Sequence, residues 1–152
     1  MTFSDRLTEL GITLPPVAAP VAAYVPAVRT GSYVYTSGQL PMVEGKLAAT
    51  GKVGGEITPE EAHDLARICA LNAVAAVDAL VGIDTVARVV KVVGFVASAT
   101  GFTGQPVVVN GASELLGEIF GDAGKHARSA VGVAELPLGA PVEVELVVEL
   151  SA

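Results

Sequence analysis

The cleanest pattern in the chain is at its C-terminal end. Val142, Val144, Leu146 and Val148 alternate with Glu143, Glu145, Val147 and Glu149. Period-two alternation of this kind marks a strand with one face on a core. The Val-rich run 88–97 reads as a buried strand. Residues 24–29 and 33–39 are rich in Val, Tyr and Thr and read as two strands. Thr30-Gly31-Ser32 between them supplies the hairpin turn, and Pro26 confines the first strand to an edge or a bulge. Residues 42–50 hold a further short strand that turns at Glu44-Gly45-Lys46. Residues 129–134 form the strand before the last one, and Leu136-Pro137-Leu138-Gly139 is the turn between them.

Helical spacing occupies the intervals. Thr58-Pro59-Glu60-Glu61 combines a capping Thr, a Pro suited to the first turn and a Glu that completes a capping box. The stripe Ala62, Leu65, Ala66, Cys69, Val77 and Leu80 follows, and Gly82 ends it. A second helix begins between Pro106 and Asn110 and runs to Phe120, where Gly121-Asp122-Ala123-Gly124 breaks it. Near the N-terminus Ser4 is placed to cap a short helix over 4–10, with Gly11 just past its end. Leu14-Pro15-Pro16-Val17-Ala18-Ala19-Pro20 can only be an extended arm.

These elements predict an α+β domain over residues 23–152, preceded by an arm over 1–22. The domain has a sheet of about six strands with two helices packed on one face. The other face would be exposed in a lone chain. Composition bears on that face. Hydrophobic residues make up 51% of the chain and charged ones 16%, against about 25% charged in an ordinary domain. Burying the second face against further copies is the simpler solution.

Charge narrows the function classes. The net charge is −7, and nine Lys plus Arg are scattered singly. Nucleic-acid binding needs a basic stripe, so it is disfavoured. Cys69 is the one cysteine, which excludes an internal disulfide and fits a reducing compartment. The N-terminal residues do not form a secretory signal. The uncharged run 92–113 is punctuated by Gly94, Gly101, Gly104, Pro106 and Asn110, which argues against a membrane span. A cytoplasmic location is expected.

Candidate chemistry is sparse. His63 and His126 have no partner at ligand spacing, so no metal site is expected, and His63 reads as a surface histidine. Cys69 lies on the apolar stripe and reads as a buried structural thiol. The glycine-rich stretch 45–53 is one residue too long for a phosphate loop, and Val53 stands where Ser or Thr is needed. Arg128 is more promising. It opens a strand read as the antiparallel neighbour of the last one, and its planar fork suits a carboxylate. Glu143 opens that last strand. Thr36-Ser37-Gly38-Gln39-Leu40-Pro41 ends a strand with small polar residues, where freed backbone N–H groups can hold an anion.

The set resembles the RidA/YjgF family. It comprises Tyr24-Val25-Pro26-Ala27-Val28, Tyr35-Thr36-Ser37-Gly38-Gln39-Leu40-Pro41, Phe95-Val96 with Asn110 downstream, Ala127-Arg128-Ser129-Ala130-Val131, and Leu136-Pro137 leading to Val142-Glu143-Val144-Glu145. The N-terminal arm is similar to that of a divergent branch sometimes labelled putative endoribonuclease. The resemblance implies a chorismate-mutase-like fold and a homotrimer with a central barrel and clefts between subunits. It also implies hydrolysis of reactive imines and enamines, such as 2-aminoacrylate, to keto acids and ammonia without a cofactor. By the same resemblance Arg128 would clamp the substrate carboxylate and Glu143 would activate water. Ser37 and Gly38 would bound the pocket, Tyr24 would cover it, and Asn110 would lie beside the cleft. Ala130 departs from the family, whose Cys at this position lines the cleft. Two other readings remain: a non-catalytic binder or sensor of small carboxylates and, third, an endoribonuclease.

Overall fold

The computed structural model describes residues 1–20 and 22–152; Val21, inside the arm, lies outside the described residues. In chain order the elements are α1 (Phe3–Leu10), β1 (Ala27–Thr30), β2 (Tyr33–Thr36), β3 (Met42–Val43) and β4 (Lys46–Leu47). There follow α2 (Pro59–Val81), β5 (Val86–Ala97), α3 (Gln105–Phe120), β6 (Ala127–Val133) and β7 (Val142–Leu150). Five strands form one sheet in the order β1-β2-β7-β5-β6. β5 and β6 run parallel, and every other pair in it is antiparallel. A parallel pair needs a crossover, and α3 supplies it.

This corrects the expected sheet of about six strands. The sixth strand segment, over 42–50, closes on itself as the small hairpin β3–β4, apart from the main sheet. α2 and α3 pack on one face as expected, and the short helix expected over 4–10 is α1. Its cap is Thr2 and not Ser4: Thr2 and Asp5 form a capping box. Ser4 instead donates its backbone N–H to the Asp84 carboxylate (2.8 Å). The α2 start matches expectation, with Thr58 and Glu61 capping each other and Gly82 closing the helix.

Alternation in β7 sets the faces of the sheet. Val142, Val144, Leu146, Val148 and Leu150 are buried beneath α2 and α3, together with Val89, Val92 and Val96 of β5. The two helices approach closely, because a Cβ at Gly111 of α3 would overlap the His63 carbonyl of α2. His63 is accordingly no free surface residue: its Nε2 lies 2.8 Å from Glu114 Oε2 of α3. α1 rests on the outside of this layer. Leu7 is buried, and Phe3 meets the Phe120 ring edge-on at 4.8 Å. The opposite face of the sheet is uncovered. Val28, Tyr35 and Val131 on that face are 52%, 50% and 42% exposed. Among the described residues no helix is long and apolar enough to cross a membrane.

Candidate functional site

Strand register divides the candidate residues into two groups. Arg128 stands beside Val92 of β5, and Glu143 stands opposite Phe95 of the same strand. Positions 92 and 95 differ by an odd number, so the two side chains leave the sheet on opposite faces. The expected antiparallel pairing of their strands is therefore corrected: β5 lies between β6 and β7. Within one chain Arg128 and Glu143 do not meet.

Arg128 belongs to the helix side. Along α3, Pro106, Asn110 and Ser113 fall at i, i+4 and i+7, a single stripe facing β6. Arg128 Nη1 donates to Asn110 Oδ1 at 2.8 Å and to Ser113 Oγ at 3.2 Å, and Nη2 donates to the Pro106 carbonyl at 3.4 Å. The fork is thus held by three acceptors on one helix. Ala130, two residues along β6, shares this side and packs against the core. Asn110 was foreseen. Ser113 and Pro106 were not, although their helical spacing from Asn110 was visible in the sequence.

Glu143 belongs to the other side, in a small cleft of about 60 Å³. Tyr24, Gly38, Gln39, Leu40 and Pro137 line it, and Ala18 to Pro20 of the arm close over it. The ladder between β2 and β7 changes register here, from Tyr35 opposite Val147 to Gln39 opposite Val144. Four steps on one strand face three on the other, which is a bulge. The bulge brings Gly38 against Glu143 so tightly that a Cβ at Gly38 would overlap the carboxylate. Burial, followed by the neighbouring Glu145, raises the Glu143 carboxyl above the usual glutamate range. A desolvated carboxyl that can hold a proton is suited to general acid–base work.

Ser37 acts on the cleft indirectly. Its hydroxyl donates to the Val25 carbonyl at 2.6 Å and its backbone N–H to the Pro26 carbonyl at 2.8 Å. It thereby secures the segment that carries Tyr24. Gln39 N–H is taken by the Val144 carbonyl, so of the N–H groups of Ser37, Gly38 and Gln39 only that of Gly38 lacks a partner among the described residues. Cys69 is fully buried behind the site. Burial, with a smaller push from Glu143, raises its thiol well above the ordinary range, as an inert structural thiol requires.

The fold and the two groups can now be set beside known proteins. A family model described as YjgF/chorismate-mutase-like, putative endoribonuclease, matches residues 4–150. Protein TCP17 of Trypanosoma cruzi is 48% identical over 148 residues, covering 96% of this chain and 92% of that protein. A 2-iminobutanoate/2-iminopropanoate deaminase of Dermatophagoides farinae is 33% identical over 138 residues, covering 90% of this chain and 93% of that protein. Among solved structures, a putative endoribonuclease of Shewanella oneidensis superposes with a TM-score of 0.94 at 34% identity. That match covers 99% of this chain and all of the other. With the family model spanning nearly its whole length, the chain belongs to the YjgF/chorismate-mutase-like family.

Proposed function

We propose that this protein hydrolyses reactive imines and enamines of small 2-amino acids to keto acids and ammonia, in clefts shared between neighbouring copies of a homotrimer. The observation that carries this reading is the division of the site. One face of the sheet presents a fixed cationic fork with no carboxylate hydrogen-bonded to it. The other presents a desolvated base without a cation among the cleft-lining residues. A ring of copies contacting head to tail would bring the Arg128 side of one against the Glu143 side of the next. The uncovered apolar face gives such a ring its core.

The chemistry follows from those two groups. A 2-imino acid would anchor its carboxylate on Arg128, which orients the C=N carbon toward water held by Glu143. Glu143 takes a proton from that water as its oxygen bonds to carbon, giving a carbinolamine. Glu143 then returns the proton to nitrogen; as the C–N bond breaks and ammonia departs, the carbinol hydroxyl passes its proton to the freed Glu143 and a keto acid remains. One general base and orientation suffice, because an iminium carbon is already electrophilic. The similarity to an imine deaminase supports the choice of substrate class.

Ala130 favours a second reading, carboxylate binding without turnover, because the family's cleft-lining Cys is absent here. One assay separates the two. Keto acid release from a freshly generated 2-imino acid should accelerate with this protein and disappear in Arg128→Ala. A ligand that raises the Tm with no product formed would establish the binder instead. The net charge of −7 argues against RNA as substrate.

A further inference from the structure

We infer that Ser113 and His126 are positioning residues that decide which edge of Arg128 a substrate carboxylate meets. The inference rests on the reading of Arg128 as a carboxylate clamp and adds two residues that reading does not contain. His126 Nδ1 lies 2.6 Å from the Gly124 carbonyl oxygen. A carbonyl only accepts, so Nδ1 carries the hydrogen. In the neutral ring, Nε2 is then the acceptor, and it lies 2.8 Å from Ser113 Oγ. The Ser113 hydroxyl therefore donates to His126 and turns its lone pairs toward Arg128 Nη1, 3.2 Å away. Every link has one direction: the Gly124 carbonyl orders His126, His126 orders Ser113, and Ser113 accepts from Arg128.

The count of hydrogens gives the chain its consequence. Both hydrogens of Nη1 are spent, one on Asn110 and one on Ser113. One hydrogen of Nη2 goes to the Pro106 carbonyl. Of five guanidinium N–H groups, one on Nε and one on Nη2 remain. Nε–H and the neighbouring Nη2–H are the pair that can hold a carboxylate side-on and bidentately. Without Ser113 correctly turned, Nη1 regains a free hydrogen and the guanidinium loses its reason to present that edge. The three groups lie close in the fold: His126 immediately precedes β6, Arg128 is its second residue, and Ser113 is one turn beyond Asn110 on α3.

Calorimetric titration of the full-length protein with 2-oxobutanoate, and with its uncharged carboxamide, tests this. Ser113→Ala and His126→Phe should each weaken 2-oxobutanoate binding about 10-fold, the effect of losing one hydrogen bond to a charged group. Carboxamide binding should stay level. Because the residues act in series, the double variant should be no weaker than the worse single one. Ser113→Thr, which keeps the hydroxyl, should restore most of the affinity. The role is overturned if the single variants bind 2-oxobutanoate as wild type does, if both ligands weaken alike, or if the losses add. If Arg128→Ala binds 2-oxobutanoate undiminished, the clamp itself is wrong and this role falls with it. The Arg128 arm thus tells the two failures apart.

Discussion

The two halves of the site are built in different ways. Arg128 is fixed by hydrogen bonds, with three acceptors on α3 holding its guanidinium. Glu143 is fixed by packing, half-buried against the bare backbone of Gly38 in a cleft that the arm and Tyr24 help to line. The first arrangement costs little, because an arginine stays charged and gains partners. The second is unfavourable for a charged carboxylate and is the kind of strain expected where a base must accept a proton. The proposed recognition element is thus held in its favoured state, and the proposed base is held out of it.

The sharpest way to break this contrast is Glu143→Gln. Turnover should fall on the order of 10²–10⁴-fold, the usual loss for a general base. Stability should move the other way. The folded-state pKa of Glu143 is raised, so its contribution is present below the unfolded value and lost as pH rises through the folded one. At neutral pH, thermal melts should therefore show Glu143→Gln more stable than wild type, with the gap closing under acid conditions. For the same reason the acid limb of the wild-type kcat/KM profile should lie above the ordinary glutamate range.

Gly38→Ala probes the packing alone. Its backbone is outside the left-handed region, so the added methyl meets only the Glu143 side chain. A displaced base should lower kcat about 10²-fold with little change in Tm. On the other half, Asn110→Ala removes one acceptor from Arg128. It should raise KM about 10-fold and leave kcat nearly intact, because the loss is in binding and orientation of the carboxylate. The smallest effect belongs to Ser37→Ala, which removes a hydrogen bond to Val25 and should cost about 1 kcal/mol in denaturant unfolding.

Local features were readable from the sequence where the chemistry is local. Thr58 and Glu61 define the start of α2 because a capping box spans three residues. Gly31 and Ser32 define a hairpin for a similar reason. Strand order was not read correctly, although one cue was present. Residues 86–133 run strand, helix, strand, and such a unit makes its two strands parallel neighbours. Reading Arg128 onto a strand beside β7 overlooked this and placed it with Glu143 in one chain. Ser113 went unnoticed because a serine in mid-helix carries no mark of its own until the strand it faces is known. Ser4 and Thr2 are both capable caps, and only the contact with Asp84 decides between them.

In the proposed assembly each working site takes Arg128 from one copy and Glu143 from the next. Arg128→Ala and Glu143→Gln, each inactive alone, should be unfolded together in equal amounts and refolded, and imine hydrolysis measured. With random assembly, one pairing of neighbours in four joins an intact Arg128 side to an intact Glu143 side. Activity should then return to about a quarter of wild type. Refolded mixtures that stay as inactive as the separate variants would contradict a site shared between copies.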